Sequence, residues 1–473
     1  MTITDRSARL ASLELAADAL TPVAAALRLG RRCAFLLESV EEGVRYGRFS
    51  FVGVRGRTLV VRGKGAALLD ADGRIAREVT APDPLEALRA VLPEAPASAD
   101  ELPFPLTSGV GYLAYEVAAR WEDLPVPETD PVGLPDAVFH LPSAVIAFDH
   151  LGQVARVAAL DGDDVTRLLH SVAEAITRPV LEEAPLAVGA STVPPESDGP
   201  GRQRFEAGVA RLVEEIRAGE MLQAVLARRF SVPTRRSAFD IYRSLRRVNP
   251  SPHLFYLDLS AVMPGVALVG ASPELLVRVR DGEVVTRPIA GTRLRAGDAQ
   301  ADAALEADLR TDPKERAEHA MLVDLARNDV GRVARPASVE VPLLESIERY
   351  RHVMHLVSEV RGRLRPELDA FDAVRATFPA GTVSGAPKVR AMEAIAELEG
   401  ERRGPYGGAV GFFSPQDVEA AITIRGAVIA DGFATVHAGA GIVADSVPER
   451  EAAEVAAKAA SMLAAIGPEG GDR

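Results

Sequence analysis

The sequence predicts an α+β protein built mainly from antiparallel sheets. Strand-like segments follow one another directly, and helical patterns fall between groups of strands rather than after each one. The run 420–429, then Asp431-Gly432, then 433–438, reads as a hairpin closed by an Asp-Gly turn.

In chain order, strand-like segments stand at 33–37, 49–54, 58–62, 66–70 and 144–149, with a short helical pattern at 83–91. Residues 182–203 are rich in Pro, Gly, Ser and Glu and lack periodicity, so they read as a linker between domains 1–181 and 204–470. Beyond it, 204–218 sets Phe205, Val209, Leu212 and Ile216 on one helical face. Strands follow at 222–230, 254–259, 267–272 and 275–280, and helices at 312–328, 386–398 and 448–466. There is no internal repeat.

At 473 residues the chain is long enough for two domains, and 47% hydrophobic residues suffice for a large core. A net charge of −13 with scattered Lys and Arg argues against nucleic-acid binding. The single cysteine, Cys33, excludes an intramolecular disulfide and a multi-cysteine metal site. Without a long apolar run or a signal-peptide core, the chain reads as soluble and cytoplasmic.

The most informative stretch is 378–388, with two glycines, Thr382, Ser384 and Lys388 just before a helical pattern. Glycines admit a ligand close to backbone N–H groups and a helix N-terminus is partly positive, so the stretch reads as an anion cradle. Glu315 and Glu318 stand three apart on one predicted helix, and Glu451 and Glu454 on another. That spacing puts each pair on one face, and two such faces can enclose a hard cation such as Mg²⁺ or simply meet solvent. Arg425, read inside the strand 421–425 on the face of Thr423 and Ala421, either holds a carboxylate bidentately or forms a salt bridge. His355 lies in an apolar run, as a catalytic base or a satisfied core histidine. These residues imply an anion-binding, Mg²⁺-dependent site in the C-terminal half without naming its substrate.

Together the strings GASPE (270–274), PIAGTR (288–293), ERAEHAMLVDLARND (315–329), GTVSGAPKVRAME (381–393), GPYGGAVGFF (404–413) and HAGAGIVADSVPE (437–449) resemble the chorismate-utilising enzymes. Within them the likeness is greatest to the large subunits of anthranilate synthases, and it covers essentially the whole chain. The resemblance implies two packed antiparallel sheets flanked by helices. It implies Mg²⁺ held chiefly by Glu318 and Glu454, with Glu315 and Glu451 acting through water. Arg425, Tyr406, Lys458 and the Gly439-Ala440-Gly441 backbone match positions that bind substrate carboxylates. Gly291, Thr292, Thr382 and Ser384 line the same pocket. Glu274 matches the acid that helps the C4 hydroxyl depart, and His355 the residue linked to pyruvate elimination.

Two positions bear on the product. Ala290 stands where many aminodeoxychorismate synthases carry a nucleophilic lysine. Gln223 stands where isochorismate and salicylate synthases carry a lysine that activates water. Both point to ammonia adding at C2 and to anthranilate. The segments Leu37-Glu38-Ser39 and Asn249-Pro250-Ser251-Pro252-His253-Leu254 match a tryptophan feedback site, although His253 and Leu254 replace the usual tyrosine and methionine. Cys33 lacks a glycine-flanked nucleophile elbow, so a separate glutaminase subunit is expected to supply ammonia, commonly in a heterotetramer. Three alternatives stay open: a synthase stopping at 2-amino-2-deoxyisochorismate, an aminodeoxychorismate synthase, and a non-catalytic tryptophan-sensing homologue.

Overall fold

The computed structural model describes residues 10–39, 47–93, 106–160, 162, 164–179, 199–350 and 353–467. Most of the expected linker, residues 182–198, lies outside these. The helix expected from residue 204 begins earlier, as Gly199–Arg217.

Two large antiparallel sheets dominate, as the composition of strands and the resemblance led us to expect. One runs from Leu10–Ala16 through Cys33–Glu38, His253–Asp258, Ala267–Ser272, Gly426–Ala430 and Phe433–Ile442 to Gln223–Pro233 and the two-residue strand Gly385–Ala386. The other runs from Ile289–Leu294 through Leu275–Arg280, Val418–Ile422 and Ala409–Phe413 to Gly109–Leu113 and Ile75–Val79. Each sheet therefore takes strands from both sides of 182–203. Cys33–Glu38 pairs with His253–Asp258 in the first, and Gly109–Leu113 with Ala409–Phe413 in the second.

Strand alternation sorts side chains into two cores. Phe35, Phe255, Leu257 and Leu268 join Val110, Tyr112, Phe139, Val277 and Phe413, together with Phe371 and Val323 from helices. On the opposite face of the first sheet, Leu36, Ile146, Val157, Leu254 and Val436 pack under the helices that carry Phe205, Val209, Leu245, Val455 and Met462. Fully burying such a side chain contributes about 1.5–3 kcal/mol. That burial holds the helix Pro448–Ile466 against the sheet.

The Asp-Gly hairpin forms as expected: Asp431 (φ 50°) and Gly432 (φ 80°) both lie in the left-handed region, as the tight turn between Ala430 and Phe433 requires. The strand expected at 420–429 does not form as one piece. Val418–Ile422 belongs to the second sheet and Gly426–Ala430 to the first, with Thr423, Ile424 and Arg425 crossing between them. Arg425 adopts φ 53°, so its placement by strand alternation is corrected: it sits at the crossover. The apolar pattern runs unbroken through both strands, and nothing in its period marks the change of sheet.

Candidate active site

The site lies where that crossover, the two carboxylate-bearing helices and the glycine strand 437–441 meet. The helix Pro313–Gly331 starts where Asp312 accepts the N–H groups of Lys314 and Glu315, with proline at the first position. This fixes Glu315 and Glu318 one turn apart toward Ile289–Leu294 and Gln223. Glu315 accepts from Arg293 Nη1 at 3.1 Å. Glu318 accepts from Gln223 Nε2 at 3.4 Å. Burial raises the Glu318 carboxyl above the ordinary range, and the Glu315 charge adds to it while Lys314, Gln223 and Lys458 oppose.

On the last helix, Glu454 is paired with Lys458 at 2.7 Å, and Lys458 Nζ also donates to the Gly439 carbonyl at 3.0 Å. Glu451 is raised by burial, with Ser446 lowering it, Glu454 raising it, and Lys314 of the facing helix lowering it. Lys314 acting on Glu451 and Lys458 on Glu318 place the two acidic faces opposite each other. Among the described residues no three His, Cys, Asp or Glu side chains converge as a ready ligand set. The carboxylate oxygens nonetheless fit a cation that takes one or two protein carboxylates and keeps its waters.

At two positions of the floor a side chain would crowd a neighbouring group. A Cβ at Gly441 would lie 2.3 Å from Gln223 Nε2, and one at Gly439 would lie 2.8 Å from the Tyr406 hydroxyl. Ala440 points the other way, into the helix-covered core. Tyr406 stacks on His437 with centroids 5.4 Å apart. Arg425 Nη1 reaches the Lys458 carbonyl at 3.5 Å, and burial lowers its pKa from the ordinary guanidinium value.

Glu274 is buried and accepts the Thr382 hydroxyl at 2.9 Å. Burial pushes its carboxyl up to about 8, against the Thr382 and Ile289 N–H bonds and the Lys458 charge. His355 Nδ1 lies 3.0 Å from Thr292 Oγ1 and 3.1 Å from the Gly291 carbonyl. Burial lowers its pKa, opposed by the Gly291 bond and aided by Arg425. Of the loop 378–388, Thr382 reaches Glu274, while the Ser384 hydroxyl donates to the Ala380 carbonyl and Lys388 pairs with Asp329. The Ser384 and Ala386 carbonyls accept from Val225 and Leu222, tying the loop to the edge of Gln223–Pro233.

The residues matched to a tryptophan site divide by face. Ser39 and His253 line a cavity of about 570 Å³ with Phe49, Phe51, Phe412 and Glu419. Glu38 and Leu254 are paired in register but face the helical side, where Glu38 accepts from Tyr242 at 2.6 Å and pairs with Arg246 at 2.7 Å. Leu37 is partly buried against the inter-sheet core. Asn249 closes the helix Ala238–Val248, followed by Pro250 and buried Ser251.

Sequence reasoning passed over Arg403. It is 2% exposed. It binds Glu399 and donates to the Val383 and Val225 carbonyls, with its guanidinium 4.5 Å from the Tyr115 ring and 5.6 Å from that of Tyr406. Its signal was a charged pair, Arg402-Arg403, directly before a Gly-Pro-Tyr turn.

Residues 34–464 match the chorismate binding enzyme family, and the chain belongs to it. It is 44% identical over 469 residues to anthranilate synthase component 1 of Streptomyces coelicolor, covering 95% of this chain and 87% of that one. It is also 44% identical over 463 residues to the Thermus thermophilus protein of the same name, covering 95% and 96%. The crystal structure of anthranilate synthase component I from Streptococcus pneumoniae superposes with a TM-score of 0.77 at 36% identity, covering 95% and 98%. The menaquinone-specific isochorismate synthase of Escherichia coli shares the fold, at TM-score 0.72 and 21% identity.

Proposed function

We propose that this chain is the chorismate-converting component of an anthranilate synthase, forming anthranilate and pyruvate from chorismate and ammonia. The observation that carries the reading is 44% identity over nearly the full length to relatives of that name. The absence of a nucleophilic side chain at Ala290 and of a lysine at Gln223 supports ammonia as the group added at C2.

In this reading Glu274, kept protonated near neutrality by burial, gives its proton to the departing C4 hydroxyl while ammonia adds at C2. Thr382 fixes the carboxyl. His355, kept neutral by burial and oriented through Nδ1 by Thr292 and Gly291, takes the C2 proton as pyruvate leaves. Arg425, Tyr406 and Lys458 hold substrate carboxylates over the bare Gly439 and Gly441. Glu318 and Glu454, with Glu315 and Glu451 behind them, would hold Mg²⁺, which neutralises carboxylate charge and orients the ring. Chelation with EDTA is expected to abolish turnover and added Mg²⁺ to restore it. Glu318→Gln is expected to abolish it without unfolding the chain, and turnover surviving that change would remove Glu318 from the metal site.

A separate glutaminase supplies the ammonia. Cys33 is buried in a strand and its thiol is pushed up to about 12, chiefly by burial, which withholds the thiolate that a glutaminase needs. Tryptophan would bind at the Ser39–His253 cavity, while Glu38, held by Tyr242 and Arg246 on the other face of the sheet, does not line it. The deciding experiment incubates the chain with chorismate, Mg²⁺ and ammonium and reads products by fluorescence and mass spectrometry. Anthranilate plus pyruvate supports the reading; an aminated product retaining its enolpyruvyl group overturns it.

A further inference from the structure

Glu274 must lose its proton once in each turnover of the reaction proposed above, and substrate covers its pocket side at that moment. A second small cavity, about 40 Å³, is lined by Glu274 and Thr382 together with Thr286, Arg287, Asp329, Leu322 and Leu325. A cavity of this size holds water when two to four polar partners face it. Thr286, at the end of the strand Glu283–Thr286, has a hydroxyl sealed from solvent with no hydrogen-bond partner in the protein. Leaving a buried hydroxyl without a partner is unfavourable, so its presence in this wall calls for one. Asp329, 7% exposed, holds Lys388 Nζ at 3.0 Å and is the charged pair of the wall nearest in kind to a proton donor.

We infer that water in this cavity, held by Thr286 and Asp329, is the route by which Glu274 regains its proton. The inference rests on the reading of Glu274 as the acid. The Glu274 O–H bond breaks as its proton joins the C4 hydroxyl, which leaves as water. The carboxylate then takes a proton from the cavity water, which takes one from the Asp329–Lys388 pair, and solvent recharges that pair. One proton enters for each one spent, and the new C2 ammonium returns one to solvent, so no other reactant is needed. Thr286 and Asp329 are positioning residues acting through Glu274; neither touches substrate.

The test compares Thr286→Val, isosteric without the hydroxyl, with Thr286→Ser, which keeps it, using ammonium as donor. Thr286→Val is expected to lower kcat by about tenfold or more, leave the KM for chorismate unchanged, and enlarge the solvent deuterium isotope effect on kcat. Thr286→Ser is expected to restore both. A parental kcat and isotope effect in Thr286→Val would overturn the inference, as would equal losses in Val and Ser variants, which would mark a packing role. If Thr286→Val does not fold, Asp329→Asn carries the same comparison of kcat and isotope effect, with parental values overturning the relay. All these outcomes leave anthranilate formation intact, whereas a parent chain that makes none would sink the reading of Glu274 and the relay with it.

Discussion

Glu274 shows how a single buried carboxyl sets a pH dependence. Its acid form is the working one, and burial keeps it protonated up to about 8, so kcat should fall as pH rises through that value. Glu274→Gln should lower kcat on the order of 10²–10⁴-fold and leave no alkaline limb of its own in the pH–rate profile. The same shift bears on stability. The folded state holds this proton more tightly than the unfolded chain, whose value is near 4.5, so stability contributed here declines as pH rises from that value to about 8. The Gln variant should lack that decline in urea titrations across the window. At Gly441 the constraint is steric. A Cβ 2.3 Å from Gln223 Nε2 forces that amide off Glu318. Gly441→Ala should therefore cut turnover by roughly tenfold or more, since small misplacements in a site cost that much, with the unfolding midpoint nearly unchanged because the amide end is flexible.

At the scale of elements, the pocket depends on how the helix Lys388–Glu399 and its preceding loop are tied to the strand Gln223–Pro233. Arg403 supplies the tie, joining Glu399 on the helix, the Val383 carbonyl in the loop and the Val225 carbonyl in the strand. It and Glu399 are both buried, so Arg403→Met leaves a carboxylate without its cation. The expected cost is about 3–5 kcal/mol in chemical denaturation, with turnover lost alongside because Tyr406 and Thr382 rest on the same framework. A variant as stable as the parent would show the pair to be dispensable. Helix starts were legible from sequence at Asp83, Asp312 and Pro448, because capping side chains and first-position prolines act locally. The break at Thr423–Arg425 was not legible. A strand leaving one sheet for another keeps its apolar residues, and only the far partners differ.

The whole molecule is organised by sheets that cross the chain's own division. Residues on each side of 182–203 supply strands to both, through ladders such as Leu36 with Tyr256 and Gly111 with Gly411. Residues 1–181 and 204–473 expressed separately should each give poorly folded protein by circular dichroism and amide exchange, and together should restore the product assay; a cooperatively folding fragment would contradict this. No helix of the described residues is long and apolar enough to cross a membrane. By itself the sequence determined the fold class, the Asp-Gly hairpin, the carboxylate-bearing helices and the residue strings shared with the family, because periodicity, turn chemistry and motif spacing are local properties of the chain. Only the tertiary structure decided that Glu274 is buried with Thr382 beside a cavity holding an orphaned Thr286, that Glu38 and Ser39 face opposite sides of their sheet, and that Arg425 sits at a crossover. Those facts depend on which distant segments meet, and desolvation, pairing and close approach exist only once they do.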